Sequence, residues 1–577
     1  MNKNKFISQI KASSKAEICD LVIKNITIVD VFQNSTFIDN VAIKDGVIVG
    51  FGDYNGTVEI DGSNKYICPS LMDAHCHIES SLVSPVEYSK AALIHGITSV
   101  VADPHEIANV LGEEGISLIL ELSENLPFDF YFMLPSCVPS TSFETAGAVL
   151  LSDNLRPFYD NPRVLGLAEV MNLPAVLNAD EDMVNKLWDA KSRGLIIDGH
   201  CAGFSKDMLN VYATANISTD HESISPEEVI ERLRRGIYVH MRQGSVAKNL
   251  KDLMVAANIK NSRRICLCTD DKHIDDLSLN GSIDSSIRTL INSGFDPETA
   301  ISMATINPAE CYKLSYKGAI APGYVADFLI LEDLQEFKIK SVYKNGELIV
   351  NDNTLLIDIS SDFYYETKNN INTPDITLED LKIDLRGKTT LNAIGINPNK
   401  LESDHLKYDL SSLNYGDCFV SDTKNDLLKV AVIERHNNTG NIGLGIIKGL
   451  EISEGAIITT IAHDSHNLIV CGTSDEDMLF AIKEMKKLNG GTMVVKKGQV
   501  VAYNKLEVAG LITLRDSESV TAELKVLHES IHEVAPNITF NPFLTLSFLS
   551  LPVIPDLKIT DKGLFNVSEF KFVNVVE

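Results

Sequence analysis

The sequence lacks any apolar run long enough to cross a membrane. A transmembrane helix needs about 20 mostly apolar residues, and no such run occurs in the 577 residues. The opening segment, up to Lys15, is polar, and no apolar stretch of the kind found in secretory signals follows it. We therefore expect a protein without membrane spans and without an export signal.

Positive charge is scarce as well. The chain has 51 lysines and arginines against 79 aspartates and glutamates, which gives a formal net charge of −28. A surface of this sign repels nucleic-acid backbones and anionic membranes, so we exclude both as main partners. The acidity itself favours solubility.

Paired-cysteine motifs are also missing. The ten cysteines are scattered, and none of them belongs to a Cys-x-x-Cys motif. This absence argues against the zinc-dependent nucleobase deaminases that combine His-x-Glu with Pro-Cys-x-x-Cys. It also argues against a disulfide framework, so we expect reduced, mostly buried thiols and a cytoplasmic location.

The apolar patterning divides the chain into several domains, as its length requires. Alternating apolar and polar residues predict short strands on both sides of a central block, with an Asp-Gly turn at 45–46 and an Asn-Gly turn at 345–346. We therefore predict one small β-domain composed of residues 1–68 and 318–365. A polar linker at 366–384 would lead to a C-terminal α/β or α+β domain at 385–577.

The central block, residues 69–317, alternates short apolar segments with longer helical ones. Eight such alternations in roughly 250 residues predict an α/β fold, a (β/α)8 barrel, in which catalytic groups lie at the C-terminal ends of the strands. The predicted strands are Cys68–His77, Thr98–Asp103, Asp129–Leu134, Val164–Glu169, Leu195–His200, Ala213–His221, Ile237–His240 and Arg264–Asp271.

Side chains that can bind metals end five of these strands. Residues i and i+2 of a strand point to the same face, so His75 and His77 project side by side. Buried ionisable groups are unfavourable unless they are paired or bind a metal, and five such endings on one rim predict a metal site. The endings are His75-Cys76-His77, Glu169, His200, Asp220-His221-Glu222 and Asp270-Asp271.

The order His-x-His, Glu, His, His, Asp resembles the amidohydrolase superfamily of metal-dependent hydrolases. Within it, the chain is similar to the adenine deaminase family, and the Asp-Pro-His-Glu motif at 103–106 is much more specific than His-x-His alone. The resemblance spans nearly the whole chain. The segments that carry it are Met72–Ser81, Val101–Gly112, Asp198–Gly203, Thr269–Asp271, Glu434–Gly440 and Ala462–Asn467.

This resemblance implies a binuclear centre of divalent metal ions. Many relatives bridge the two ions with a carbamylated lysine, whereas the fourth strand here ends in Glu169, whose two oxygens can also bridge two ions. The ligand types suit manganese, iron and zinc alike, and the resemblance favours manganese or iron. The implied ligands are His75 and His77 for one ion, His200 and His221 for the other, Glu169 between them, and Asp270.

The reaction implied is the hydrolytic deamination of adenine to hypoxanthine and ammonia by a metal-activated hydroxide. Asp270 would accept the proton of the attacking water. We prefer it to Asp271 because it comes first after the apolar strand, although spacing does not separate the two. Attack at C6 places electron density on N1, and Glu222 is the candidate acid that protonates it. Its alternative role is to orient a metal ligand.

Other polar residues near the strand ends are candidates for substrate binding. They are Asp103, His105 and Glu106, which follow the second strand, and His273, which follows the eighth. For the first three, a hydrogen-bond network that fixes the loop is an equal alternative. His463 and His466 lie in the C-terminal region, where they could cap the active site or sit at a subunit contact. The resemblance also suggests a homodimer or a larger homo-oligomer.

Two alternatives to adenine deamination remain open at this point. A cyclic-amide or N-acyl amino acid hydrolase on the same barrel would share the metal ligands but would not need the 103–106 motif or the C-terminal domain. A non-catalytic scaffold should lack some of the ligands, whereas all six candidate positions are filled.

Overall fold

The computed structural model describes residues 2–577 except positions 362, 364, 367, 399 and 414. The predicted linker at 366–384 includes position 367, which therefore lies outside the described residues. A helix at Lys3–Ser13 opens the chain, and Asn2 caps it by accepting a hydrogen bond from the Asn4 N–H. Five sheets follow, two of which together form a barrel.

A nine-stranded sheet draws its strands from both sides of the barrel segment. Its two predicted turns are confirmed, since Asp45-Gly46 and Asn345-Gly346 both have positive φ values, as a two-residue hairpin of type I′ requires. The strands are Cys19–Asp30, Ser35–Lys44, Val47–Phe51, Gly56–Asp61, Tyr66–Pro69, Phe328–Asp333, Lys338–Lys344, Glu347–Asn351 and Thr354–Leu355.

The barrel begins two residues after the strand Tyr66–Pro69 of this sheet. Tyr66–Pro69 pairs antiparallel with Phe328–Asp333, and after Ser70 the chain turns into the first barrel strand, so the predicted strand Cys68–His77 is divided between two sheets. The barrel strands pair in parallel. They are Leu71–His77, Ile97–Ala102, Asp129–Leu134, Val164–Val170, Ile196–Gly199, Thr219–Asp220, Tyr238–Arg242 and Ile265–Cys268, the last continuing as Asp270–Asp271.

Two contacts close the barrel. The Ser218 N–H donates to the Ile197 carbonyl at 2.9 Å and so joins the fifth strand to the sixth. Asp270 and Asp271 pair in parallel with Cys76 and His77, so the last strand lies beside the first. The predicted (β/α)8 barrel is therefore confirmed, and the C-terminal ends of its strands lie at one rim.

Helices surround the barrel. Among the described residues, five of these helices begin after a residue whose side chain accepts a backbone N–H of the first turn, as Pro85–Ile94 does after Ser84, whose hydroxyl accepts from the Glu87 N–H. The helices are Pro85–Ile94, His105–Leu111, Glu113–Leu122, Ser152–Leu155, Leu173–Leu177, Glu181–Ser192, Lys206–Thr214, Pro226–Arg234, Leu250–Leu253, Ile274–Asn280, Ile283–Asn292, Pro297–Met303 and Ile306–Cys311. Short 3-10 turns lie at Glu79–Ser81, Arg156–Asp160, Met254–Ala256 and Ser262–Arg264.

The predicted sixth strand, Ala213–His221, is wrong over its first half. Residues Lys206–Thr214 form a helix, which ends before Asn216 in the left-handed conformation at φ 73°. The strand itself is only Thr219–Asp220. Apolar residues at Ala213, Ala215 and Ile217 lead from the helix toward the strand, and the turn at Asn216 separates the two elements.

The C-terminal region contains an eight-stranded sheet, a three-stranded sheet and three α-helices. The strands predicted near 430–433, 468–471 and 492–496 and the helix at 475–488 are all present. The strands are Thr390–Ile396, Ser403–Asp409, Leu428–Ile433, Ile442–Lys448, Ala456–Thr459, Leu468–Gly472, Gly491–Lys496, Gln499–Lys505, then Leu557–Thr560, Gly563–Asn566 and Lys571–Val573. The helices are Asp475–Leu488, Ser517–Val534 and Pro542–Phe548, with 3-10 turns at Glu379–Leu381 and Leu410–Ser412.

The loop after the third barrel strand packs against this region. The Thr145 N–H donates to Asp561 at 2.9 Å, and the Asn467 side chain donates to the Thr145 carbonyl at 2.8 Å. Both hydrogen bonds are partly buried, and they hold this loop against the C-terminal region. Within the described part of the chain, no helix is long and apolar enough to span a bilayer.

Candidate active site

The C-terminal ends of five barrel strands bring the predicted metal ligands into one buried cluster. The His75 ring stacks on His221 at 4.1 Å between centroids, and His77 lies edge-on to His75 at 4.9 Å. The His200 ring lies 5.4 Å from that of His221. Parallel strands of a barrel end at the same rim, so residues more than 140 positions apart in the chain meet there.

Glu169 lies between the two histidine pairs. Its Oε1 lies 3.3 Å from His77 Nε2 and 3.7 Å from His75 Nε2. Its Oε2 lies 2.7 Å from His200 Nδ1 and 3.2 Å from His221 Nε2. Each carboxylate oxygen thus faces one pair of imidazoles, which is the arrangement that a carboxylate bridging two cations needs.

The electrostatics of this cluster favour a negative Glu169. Burial alone would raise the pKa of Glu169, but the imidazoles, with His221 foremost, hold it well below its usual range. Burial and the neighbouring His221 lower the pKa of His75 to about 4. His75 is therefore a neutral imidazole at neutral pH, the form that binds metals.

Asp270 completes the cluster from the eighth strand. Its backbone adopts φ 60°, a left-handed conformation that aspartate tolerates and that turns the side chain toward the histidines. Its Oδ1 lies 3.1 Å from His77 Nε2, and its Oδ2 accepts a hydrogen bond from Arg242 Nη1 at 2.6 Å. Asp271 instead accepts from the Ser80 hydroxyl, and burial followed by the charge of Asp270 raises its pKa to about 6.

Arg242, at the end of the seventh strand, links two candidate residues. Its Nη1 donates to Asp270 and also to Glu222, which lies next to His221. All three side chains are buried. The guanidinium therefore fixes the positions of both carboxylates at the rim.

The four predicted substrate-binding residues fall in different places. His105 and Glu106 line the cavity above the cluster, and Asp103 lies behind them, where its Oδ2 contacts His105 Nδ1 at 2.8 Å. His273 is buried, and its backbone N–H donates to the Ser245 hydroxyl. It is not among the described residues that line the cavity. Asp103 thus orients the His105 ring.

The C-terminal region supplies the opposite wall of the cavity. The sequence patterns indicated only the histidines in Ala462–Asn467 as candidates from this region. Glu106 Oε1 lies 3.3 Å from His463 Nδ1, and the His463 ring stacks on Phe548 at 4.3 Å. The His466 ring stands edge-on to His463. The lining residues from this region are Leu401, His463, Asp464, Phe548, Leu551 and Ile554.

The cavity is narrow but adjoins a larger opening. It encloses about 30 Å³, far below the roughly 300 Å³ and more of typical ligand sites. A neighbouring pocket of about 380 Å³ shares Glu222, Arg242, Leu401 and Ile554 with it. These four side chains form the boundary between the two cavities.

The donor set fits divalent metal ions. Nε2 of His75 and Nε2 of His200 are buried and have no hydrogen-bond partner among the described residues. Orphaned imidazole nitrogens are unfavourable in a protein interior, and coordination of a cation would satisfy them. Several groups of three or four ligands lie close enough to share an ion, among them His75, His77 and Asp270, and His75, Glu169 and His221.

The barrel with histidines and carboxylates at its C-terminal rim defines a metal-dependent hydrolase of the amidohydrolase class. The model of the amidohydrolase family matches residues 66–349, and that of the adenine deaminase C-terminal domain matches residues 404–571. This family implies a divalent metal centre. The chain belongs to the adenine deaminase family, as its similarity to curated members along its whole length shows.

Two relatives illustrate that similarity. Adenine deaminase of Geobacillus kaustophilus (strain HTA426) is 46% identical over 571 residues, which covers 98% of each chain. Adenine deaminase of Bacillus subtilis (strain 168) is 43% identical over 587 residues and covers 100% of both chains.

Solved structures resemble only part of the chain. The D-hydantoinase of a Thermus species is 15% identical, covers 59% of this chain and 97% of its own, and has a TM-score of 0.45. The β-aspartyl dipeptidase of Fervidobacterium islandicum AW-1 is 16% identical, covers 61% of this chain and 100% of its own, and has a TM-score of 0.44.

Proposed function

We propose that this protein is an enzyme that hydrolyses adenine to hypoxanthine and ammonia. The hydrolytic part of this proposal rests on the position of Glu169, whose two oxygens each face one histidine pair, with Asp270 beside them. The choice of adenine rests on the full-length relatives, which are adenine deaminases. In this reaction a C6–O bond forms, the C6–N6 bond breaks, and the amine leaves as ammonia.

Six side chains would hold two divalent ions. When bound, such ions make water nucleophilic at neutral pH. Oxygen and nitrogen donors of this kind suit manganese or iron, which we favour, and also zinc. The residues that would hold them are His75 and His77 for one ion, His200 and His221 for the other, Glu169 between the two pairs, and Asp270.

Asp270 is the proposed proton acceptor. Its Oδ1 points at the histidine cluster, and Arg242 holds its Oδ2, so the carboxylate has a fixed orientation toward the reacting atoms. After accepting a proton from the attacking water, Asp270 would deliver it to the departing amine. Asp271, which accepts from Ser80, lies one position further along the rim and is the weaker candidate.

Glu222 is the proposed acid at N1 of the purine ring. Attack at C6 makes N1 basic, and a side chain at the cavity wall must supply a proton there. Glu222 lines the cavity, and Arg242 Nη1 contacts its Oε1. The contact with Arg242 leaves Oε2 as the oxygen of Glu222 that would face the purine ring.

Substrate contacts would come from residues above the cluster. His105 and Glu106 line the cavity and can hydrogen-bond the edge of the purine, and Asp103 holds His105 in place. His273 remains a predicted substrate contact. Residues 245–273 would have to rearrange to bring it to the cavity.

We also retain the predicted organisation of the chain. Residues 69–317 would form the catalytic barrel, 1–68 with 318–365 its β-domain, and 385–577 the C-terminal domain after a linker at 366–384. All ten cysteines are free and nine of them are buried, which supports a reducing compartment such as the cytoplasm. A homodimer or larger homo-oligomer is the expected assembly.

A substrate comparison tests the proposed function. The metal-free protein would be reconstituted with manganese, and ammonia release measured with adenine, adenosine and a cyclic amide. We expect adenine to be the preferred substrate by a wide margin, and His200→Ala to remove the activity while circular dichroism shows a folded chain. Equal turnover of the cyclic amide would favour a cyclic-amide hydrolase instead.

A further inference from the structure

One carboxylate in the cavity wall remains unexplained by the metal cluster. Asp464 lies in the C-terminal region and is 2% exposed. Its Oδ2 has no hydrogen-bond partner among the described residues, and it lines the cavity. An unsatisfied buried acceptor is unfavourable, so this position is suited to a ligand that brings a hydrogen-bond donor.

The backbone around Asp464 is held firmly. The N–H of His463 donates to the Ser547 carbonyl at 3.0 Å, and the N–H of His466 donates to the Ala462 carbonyl at 2.7 Å. The buried guanidinium of Arg435 donates to the His466 carbonyl. The segment therefore presents the Asp464 carboxylate in a fixed direction rather than on a mobile loop.

Asp464 also lies at a defined place relative to the reaction centre. His105 Nδ1 lies 3.5 Å from Glu169 Oε1, and His105 Nε2, on the other side of the ring, lies 3.7 Å from Asp464 Oδ1. One imidazole ring thus separates the proposed metal bridge from this carboxylate. Asp464, Glu169 and Asp270 line the same cavity, so a flat substrate whose reacting carbon lies at the cluster can reach Asp464 alongside the His105 ring.

A free purine base has a donor at the end away from its reacting carbon. The six-membered ring carries the reacting C6, whereas the five-membered ring carries one N–H, on N9 or N7. In a nucleoside, or in any purine alkylated at N9, this N–H is missing. A carboxylate that accepts from the five-membered ring therefore distinguishes the free base from its N9-substituted forms, since a charge-assisted hydrogen bond forms only with the former.

We infer that Asp464 accepts the N–H of the five-membered ring of a free purine base and so restricts the site to bases without an N9 substituent. This inference rests on the proposed function and adds the basis of its selectivity. Phe548, Leu401 and Leu551 in the same wall would cover the flat face of the ring. The C-terminal domain thus adds recognition of the five-membered ring to the chemistry and the contacts that the barrel supplies.

The test compares adenine with 9-methyladenine in the manganese-loaded full-length protein. A site that hydrogen-bonds a substrate N–H rejects analogues without it by about 10⁴-fold, so the wild type should prefer adenine by at least about 10³-fold in kcat/KM. For Asp464→Ala we expect kcat/KM for adenine to fall about 100-fold, as for the loss of a charged hydrogen bond, with little change for 9-methyladenine. Asp464→Asn, whose amide oxygen still accepts, should recover part of the preference.

Three controls make the result decisive. Metal content should equal that of the wild type in both variants, and Asp561→Ala, which removes a buried carboxylate at the contact with Thr145, should leave the preference for adenine unchanged. Calorimetric titration with hypoxanthine and 9-methylhypoxanthine, which differ in the same N–H but have no 6-amino group to lose, measures the same preference without turnover. A wild type that releases no ammonia from adenine contradicts the proposed function itself. An unchanged preference in Asp464→Ala, by either measurement, overturns the role of Asp464.

Discussion

Replacing Glu169 by glutamine tests the central feature of the site. The substitution keeps the size and shape of the side chain but turns one of its two oxygens into an NH2 group, which donates hydrogen bonds and cannot bind a cation. Because each oxygen of Glu169 faces one histidine pair, the amide nitrogen must face one of them. One ion position should therefore be weakened and the other retained.

The expected loss is large. Changes in groups that only orient a metal ligand reduce metal affinity by about 10–100-fold, so the loss of a direct ligand oxygen should weaken one ion by at least about 100-fold. That factor corresponds to roughly 2.8 kcal/mol. The assay is ammonia release from adenine during titration of the metal-free protein with manganese, together with the metal content after gel filtration. Glu169→Gln should retain about one ion per chain where the wild type retains two.

The matched control is Glu227→Gln, which makes the same chemical change at an exposed position on the helix Pro226–Arg234. It should titrate like the wild type. Excess manganese should restore part of the activity of Glu169→Gln, because the defect lies in affinity. If Glu169→Gln instead binds two ions with unchanged affinity and turns over adenine normally, Glu169 does not bridge the ions and the assignment of the site is incorrect.

Three further outcomes follow from individual side chains. Asp270→Asn should reduce kcat for adenine by about 10²–10⁴-fold and Asp271→Asn by much less, so equal losses would contradict the choice of Asp270. Although burial raises the pKa of Asp327, its ion pairs with Lys317 and Lys344 hold it well below the ordinary value of 3.8. The wild type should therefore be more stable than Asp327→Asn above about pH 4, and thermal melts should show this advantage shrinking as the pH falls further; a difference independent of pH would contradict it. Burial lowers the pKa of Lys558 to about 7 from 10.5, so the wild type should gain stability relative to Lys558→Met as the pH rises from about 7 to about 10, and a change in the opposite direction in the same melts would count against it.

Much of the architecture follows from local patterns in the sequence. Asp45-Gly46 and Asn345-Gly346 define hairpins because few other residues adopt the positive φ values of these turns. The barrel follows from the alternation of short apolar segments and helical ones, with two corrections: Cys68–His77 is divided between two sheets, and Ala213–His221 begins in a helix that ends before the turn at Asn216. Patterns of this kind act over a few residues and can be read without knowledge of the fold.

The sequence by itself also determined which side chains end the strands, and hence that His75, His77, Glu169, His200 and His221 share a rim. Only the tertiary structure decided that the two oxygens of Glu169 face opposite histidine pairs and that Arg242 joins Asp270 to Glu222. The same is true of the wall that contains Asp464, which lies more than 190 residues beyond the last barrel strand. The physical reason is that strand ends are set by local periodicity, whereas the packing of one domain on another depends on complementary surfaces that no local pattern encodes.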